Sequence, residues 1–256
     1  MSDSDSDWDA PMPAVHEAVR NLDVDALRRA LAAGASIETL DENGWPPLYH
    51  ACANGGHGSD DNSQGIPGYW NLRVNDRVAM VRALLDAGAS VHARCIAHPC
   101  DTPLIAAVMN GPFPSNDIVE MLIAAGADVN EADHNDNSVL YSAAMCGRPE
   151  AVAVLIAAGA DVHKRCGGAF TPLRGAAITG RVRNYDPLLR AGAALPSASN
   201  REYLNKIAAT PGGFPAYERE HRRRLTAVFT NKFPTLPVEV ISHIVLLWGH
   251  CGDYLY

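Results

Sequence analysis

The sequence predicts an all-α fold, a right-handed solenoid of about five helix–turn–helix repeats with hairpin fingers. Two landmarks predict it: a Gly-Ala pair that recurs with a period of about 33 residues, and a Pro-Leu or Val-Leu pair that keeps the same register. Apolar residues between the landmarks follow helical spacing. Such a unit cannot bury its own apolar face, so the repeats must stack against one another.

The Gly-Ala pair marks the end of a Leu-rich segment in every repeat. Its last three copies are evenly spaced, whereas the two earlier gaps are longer and indicate a large insertion in the second repeat and a small one in the third. The pairs are Gly34-Ala35, Gly88-Ala89, Gly126-Ala127, Gly159-Ala160 and Gly192-Ala193. The second landmark follows the preceding glycine at a constant spacing, slightly longer in the third repeat, at Pro47-Leu48, Pro103-Leu104, Val139-Leu140 and Pro172-Leu173.

Each unit divides into two helices joined by short breaks. Proline in Thr102-Pro103 and Thr171-Pro172 suits the start of the first helix, because its missing N–H needs no partner there. The first helix ends at Gly111, Gly147 or Gly180 in the later repeats. The second helix carries Val119, Leu122 and Ile123 on one face, and Gly126 ends it in the left-handed conformation. A polar hairpin leads to the next unit.

The segments Thr171-Pro172-Leu173 and Leu155 to Val162 resemble the ankyrin-repeat pattern. Counted in this register, the repeats span 14–43, 44–94, 95–132, 133–165 and 166–196, within a repeat domain of 14–196. The first lacks the Thr-Pro-Leu-His start, as expected of an end repeat. Asp186-Pro187 interrupts the second helix of the fifth, which predicts a distortion there.

Composition narrows the function classes. The net charge of -8 disfavours nucleic acid as a partner, and the run Arg222-Arg223-Arg224 lies beside Glu218 and Glu220, as on a solvated helix face. No apolar run is long enough to span a membrane. Residues 1–13 read as a disordered acidic tail rather than a secretory signal. We therefore expect reduced cysteines and an intracellular protein, cytoplasmic or nuclear.

The resemblance implies a non-catalytic protein-binding module that uses the hairpin tips and the concave face formed by the first helices. Carried over by register, the expected partner-binding residues are Asn43, Trp45, Asn54, Asp101, Met109, Asn110, His134, Asn137, Met145, Phe170 and Thr179. The insertion at about 56–76 carries Tyr69 and Trp70. They are either interface anchors or aromatics of a surface loop that fold back on neighbouring helices.

Other chemistry has weaker support. No phosphate loop, nucleophile elbow or His-Glu-x-x-His motif occurs, so we expect no enzyme and no cofactor. His92, Cys95, His98 and Cys100 have zinc-ligand types, but an ordinary finger with reduced thiols explains them too. Asn130 resembles the hairpin asparagine that oxygen-dependent hydroxylases modify in some ankyrin proteins, although an unmodified residue bonded within its hairpin is the simpler interpretation.

The segment 197–256 lies beyond the repeats and predicts helices at Asn200 to Ala209 and Pro215 to Thr230, then one with Pro237 at its first position. The last helix carries the apolar stripe Val238, Ile241, Val245 and Trp248, which must be buried against something. Two interpretations stay open. The helices cap the final repeat, or they form a ligase-docking box, because Leu236, Pro237, Val240, Ile241 and Ile244 resemble the start of an F-box. That resemblance implies a substrate-recognition subunit of a cullin-type ubiquitin ligase. We expect a monomer.

Overall fold

The computed structural model describes residues 13–53, 74–95, 101–109, 116–146, 148–167, 170–196 and 201–248. These residues contain thirteen α-helices and one 3-10 turn. The chain divides into two compact units, Met1–His134 and Asn135–Tyr256. The all-α repeat fold predicted from the sequence is confirmed.

The described residues of unit 1 form six helices in two layers. They are α1 (Ala14–Asn21), α2 (Val24–Ala32), α3 (Pro47–Cys52), α4 (Val74–Asp86), α5 (Pro103–Met109) and α6 (Asn116–Ala124). The first helices of the repeats stack in the order α1, α3, α5, and the second helices stack in the order α2, α4, α6. The helix pair is therefore the repeating unit, as the sequence period predicts.

Unit 2 continues the same pattern and adds three helices. It contains α7 (Val139–Cys146), α8 (Pro149–Ala157), α9 (Pro172–Thr179), a 3-10 turn (Val182–Asn184), α10 (Tyr185–Arg190), α11 (Glu202–Ala209), α12 (Gly213–Lys232) and α13 (Val238–Trp248). The first helices α7 and α9 pack together, as do the second helices α8 and α10. Helix α12 contacts α10, α11 and α13.

At least one leucine or methionine side chain is buried on every second helix. Leu27, Met80, Leu122, Leu155 and Leu188 are buried on α2, α4, α6, α8 and α10. Burying one such side chain contributes about 1.5–3 kcal/mol.

The recurrent glycine ends each second helix in the left-handed conformation, with φ between 88° and 95° at Gly34, Gly88, Gly126, Gly159 and Gly192. The amide of the following alanine then donates to the carbonyl five residues back, for example Ala127 to Leu122 at 2.9 Å and Ala160 to Leu155 at 2.9 Å. This is the Schellman arrangement, which satisfies carbonyls that a helix end leaves free. The Gly-Ala landmark is thus a helix-ending signal.

The first helices begin as predicted. Pro103 and Pro172 are the first residues of α5 and α9. The Thr171 hydroxyl accepts a hydrogen bond from the Arg174 amide at 3.4 Å, and the Ser138 hydroxyl accepts one from the Tyr141 amide at 3.1 Å. Gly180 ends α9 at φ 72°. Gly111 and Gly147 lie outside the described residues.

Several boundaries differ from the sequence expectation. Helix α4 begins at Val74, so it includes residues through Asp76 that we had placed in the insertion. Helices α11 and α12 span Glu202–Ala209 and Gly213–Lys232. The Pro237 carbonyl accepts the first helical bond, from Ile241, so Pro237 precedes α13 instead of beginning it. In the fifth repeat a 3-10 turn precedes the second helix, and Pro187 lies in the first turn of that helix, so Asp186-Pro187 does not interrupt it as predicted.

No helix in the described part of the chain is both long and apolar enough to cross a membrane.

Candidate partner-binding surface

Three first helices present an apolar side chain at the same position. Met109, Met145 and Ile178 are each the seventh residue of α5, α7 and α9. Met109 is 44% exposed, Ile178 is 57% exposed and Met145 is half-buried. Within the described part of residues 13–196, Met109 and Ile178 are the exposed large apolar side chains. The repeat thus places apolar surface at one register position, near the end of each first helix.

Ile178 was missing from the sequence prediction, which named Thr179 in this repeat. Thr179 is also exposed, but its hydroxyl donates to the Gly175 carbonyl at 3.0 Å, within its own helix. Counting six residues from Pro172, as from Pro103 to Met109, would have identified Ile178.

A row of side chains runs along α9 in unit 2. The Arg174 guanidinium lies 4.8 Å from the centroid of the Phe170 ring, and Ile178 follows Arg174 by one helical turn on the exposed face. Met145 lies beside α9, since its Cγ would be 3.1 Å from a Cβ built on Gly175. We call Met145, Phe170, Arg174 and Ile178 the first-helix surface of unit 2. It combines an aromatic ring, a cation and apolar side chains, a composition found at interface centres.

In unit 1 the predicted residues of repeat two lie at a finger. Asn43 is exposed, and its amide donates to Asp41 Oδ1 at 2.9 Å. Trp45 is half-buried because its ring meets the edges of Tyr49 and His50, with centroids 5.4 and 5.8 Å away. Part of the indole remains available to a partner.

The assignment of Asp101 to the partner-binding set is corrected by its burial. Asp101 is 4% exposed, its amide donates to Cys95 Sγ at 3.2 Å, and His134 Nδ1 lies 3.6 Å from its Oδ1. A side chain with so little exposed area cannot make a sizeable contact with another protein. Its polar side chain suggests a surface position, but it lies against Cys95 and His134 instead. His134 is exposed and Asn137 half-buried.

Four predicted contact residues, Asn54, Tyr69, Trp70 and Asn110, lie outside the described residues.

The F-box-like positions divide between two sides of α13. Leu236 and Val240 are exposed, and so is Pro237. Ile241 is fully buried and Ile244 half-buried. Ile241 is therefore corrected from a possible docking contact to a packing residue.

The predicted apolar stripe of α13 is buried only in part. Ile241 and Val245 are buried, whereas Val238 is exposed, since α13 packs on α12 along one side. The side chain of Trp248 lies outside the described set.

The described cysteines form no disulfide with one another, and most of them are buried. Burial raises the pKa of Cys52 to about 12, which keeps it protonated and unreactive. Cys95 is buried and its thiol donates to the Asp101 carbonyl at 3.7 Å, while His92 is exposed. His98 and Cys100 lie outside the described residues. The Asn130 amide donates to Asp128 Oδ1 at 2.8 Å, within its hairpin.

The basic run in α12 is paired as predicted. Arg222 Nη2 lies 2.6 Å from Glu218, and Glu220 bonds both Arg223 and Arg224, at 3.1 and 2.9 Å. These two arginines hold the pKa of Glu220 below its ordinary value, Arg224 contributing most.

Comparison with known families agrees with this architecture. A model of ankyrin repeats in three copies matches residues 72–166, and a model of ankyrin repeats in many copies matches residues 15–59. No curated protein matches the chain. The fold defines a class of repeat proteins built from stacked helix pairs. The chain belongs to the ankyrin-repeat family.

Proposed function

We propose that this protein is a non-catalytic binding module that recognises a partner protein through the exposed face of its first helices. Ankyrin repeats generally mediate protein–protein interaction. The observation that supports the proposal most directly is the recurrence of exposed or half-exposed apolar side chains at one register position, Met109, Met145 and Ile178. Core packing does not account for Met109 and Ile178, because both side chains are exposed.

The first-helix surface of unit 2 is the part best suited to an experiment. Ile178→Glu places a charge where a partner would bury an apolar side chain. Arg174→Glu replaces the positive charge over the Phe170 ring with a negative one. Either change should weaken partner binding by about 1–3 kcal/mol, the range of an interface residue that matters. Neither should unfold the protein, since both positions are exposed.

The test is quantitative affinity capture with the full chain and these variants, analysed by mass spectrometry. Ala153→Glu is the matched control, because Ala153 is exposed on the second helix α8. The proposal expects a defined set of proteins to be lost from Ile178→Glu and Arg174→Glu and kept by Ala153→Glu. If all three variants capture the same proteins equally and their thermal unfolding is unchanged, this surface is not the partner-binding site.

A second candidate function is substrate recognition for a cullin-type ubiquitin ligase. It is favoured by apolar side chains that are exposed late in α12, in the link to α13 and at the start of α13: Val228, Phe233, Leu236, Val238 and Val240. Apolar patches of this kind mark contact sites. Leu236 and Val240 also belong to the F-box-like segment.

A paired set of variants separates the two functions. Val238→Asp with Val240→Asp should abolish capture of cullin-ligase subunits while the proteins bound through the first-helix surface are kept. If the double variant still captures the cullin-ligase subunits, or if the wild-type protein captures none, the ligase function is rejected. The binding-module function then remains.

A further inference from the structure

Two histidines and one aspartate from three segments of unit 1 converge between the first two repeats. His16 lies on α1, Asp41 in the finger that follows α2, and His50 on α3. One ring nitrogen of each histidine and one carboxylate oxygen of Asp41 lie within 4.8 Å of one another. They are distinct from the His92 finger considered from the sequence.

His16 already has the orientation of a metal ligand. The residue is fully buried, and its Nε2 lies 2.6 Å from the Thr39 carbonyl oxygen. A carbonyl only accepts, so Nε2 carries the proton and Nδ1 keeps a free lone pair. That buried Nδ1 has no hydrogen-bond partner among the described residues. Histidines that ligate metals usually donate their second N–H to a carbonyl or carboxylate in this way.

His50 offers a second unsatisfied nitrogen. Its Nδ1 is buried and likewise without a hydrogen-bond partner in the described part of the chain. The ring centroid lies 6.0 Å from that of His16 and 5.8 Å from that of Trp45.

Asp41 supplies an oriented carboxylate. Its Oδ1 accepts the amide hydrogens of Asn43 at 2.9 Å and Trp45 at 2.8 Å. Both bonds use the same oxygen, so the lone pairs of Oδ2 remain for another partner. A carboxylate held by backbone amides keeps its position when an ion binds.

We propose that His16, Asp41 and His50 bind one zinc ion, with water completing a four-coordinate site. Two imidazole nitrogens and one carboxylate oxygen suit zinc, which binds them at about 2.0–2.2 Å, whereas calcium and magnesium favour oxygen ligands alone. The donor atoms lie within 4.8 Å of one another and would have to close to roughly 3.4 Å for tetrahedral coordination, chiefly by rotation of the half-buried His50, while Asp41 stays on its backbone amides. The ion joins α1 to α3 and fixes the finger that carries Asn43 and Trp45.

The test is zinc and cobalt binding by the metal-free full chain. Competition with a chromophoric chelator should show that the chain binds one zinc ion at this site. Asp41→Asn and His50→Gln should each weaken the zinc affinity by at least about tenfold. Asp41→Asn retains an oxygen for the Asn43 and Trp45 amides, so folding is kept. His98→Gln with Cys100→Ser is the control for a thiol site and should leave this affinity unchanged.

Cobalt supplies an independent readout, because thiolate ligands give a near-ultraviolet charge-transfer band that imidazole and carboxylate ligands lack. The site predicts visible cobalt bands without the thiolate band. Circular dichroism verifies that each variant is folded. Unchanged zinc affinity in folded Asp41→Asn and His50→Gln, a thiolate band lost with Cys100→Ser, or a dissociation constant weaker than about 100 μM would each overturn the proposal.

Discussion

At the scale of single residues, Gly175 shows how closely two repeats approach. A Cβ at this position would lie 2.7 Å from Tyr141 Cε2 and 3.1 Å from Met145 Cγ, both on α7. The close packing of α7 against α9 therefore depends on the missing side chain. Replacing a glycine by alanine elsewhere in a helix usually stabilises the helix. The direction of the stability change at Gly175 therefore shows whether packing or helix propensity dominates there.

Gly175→Ala should lower the free energy of unfolding by about 1–3 kcal/mol, because overpacking against the Tyr141 ring exceeds the propensity gain of about 1 kcal/mol. Urea unfolding measures it. Arg174→Ala, at the neighbouring exposed position, is the control and should change stability by less than about 0.5 kcal/mol. A stabilised Gly175→Ala variant would show that α7 and α9 are not in tight contact.

Asp101 makes the stability depend on pH. Burial, and next the Asp133 carboxylate, raise the pKa of Asp101 in the folded protein. The folded state therefore holds this proton more tightly than the unfolded state, so the group adds stability below the ordinary aspartate pKa. That contribution is lost as the pH rises through the raised folded value.

Asp101→Asn lacks this titration, so its stability relative to the wild type should rise between about pH 4 and pH 7. Urea unfolding at both pH values measures the change. Asp86→Asn, at an exposed position near the end of α4, is the control. Parallel pH curves for Asp101→Asn and the wild type would contradict the raised pKa.

At the scale of elements, side chains from a later segment satisfy the free carbonyls at the end of each first helix in unit 2. Asn184 is fully buried, and its Nδ2 donates to the Ala144 carbonyl at 2.6 Å, in the last turn of α7. Arg181 Nε donates to the Met145 carbonyl at 3.1 Å. Arg201 Nε donates to the Ala177 carbonyl of α9 at 2.8 Å. Helix ends need such partners when they are buried.

Asn184→Asp replaces the donor with a buried acceptor facing carbonyl oxygens. It should lower the free energy of unfolding by about 3–5 kcal/mol, the range for a buried charge without a partner. Asn184→Ala should cost about 1–3 kcal/mol, since it leaves the carbonyl unsatisfied. Thermal and urea unfolding give both values. If Asp and Ala have equal effects, the amide of Asn184 does not make this bond.

Elements were predicted more successfully than their contacts. Thr-Pro predicts where a first helix begins and Gly-Ala where a second helix ends. Both signals are local, because a proline in the first turn and a left-handed glycine depend only on neighbouring backbone. The burial of Asp101 and the role of Asn184 depend on segments distant in sequence, so no local pattern contains them. Ile178 could have been found by strict register counting. The buried side of α13 could not, because Ile241 and Val240 are both apolar and only packing on α12 distinguishes them.

At the scale of the molecule, α11 and α12 of unit 2 contact the second helix of the fifth repeat. The Tyr203 ring of α11 stacks on Tyr185 of α10 with centroids 6.0 Å apart, and it meets Tyr217 of α12 edge-on at 5.6 Å. Its hydroxyl donates to Asp186 at 3.1 Å. Arg190 of α10 pairs with Glu218 of α12 at 2.5 Å. These contacts support the capping interpretation of α11 and α12, while α13 retains exposed apolar side chains.

Tyr203→Ala removes the centre of this aromatic stack, so it should lower the stability of unit 2 by about 2–4 kcal/mol. Hydrogen exchange should accelerate in α9 and α10 more than in α1 to α3. Tyr203→Phe, which removes only the hydroxyl, should cost about 1 kcal/mol. Uniform acceleration along the chain, or none, would show that α11 does not close the fifth repeat.

The central claim is that the first-helix surface of unit 2 contacts a partner protein, and site-specific photo-crosslinking in cells tests it most directly. A photoreactive residue replaces Ile178 in one variant and Ala153, exposed on α8, in a matched one. We expect a discrete crosslinked protein from position 178 and none from position 153. No adduct at 178, or the same adducts at both positions, would contradict it.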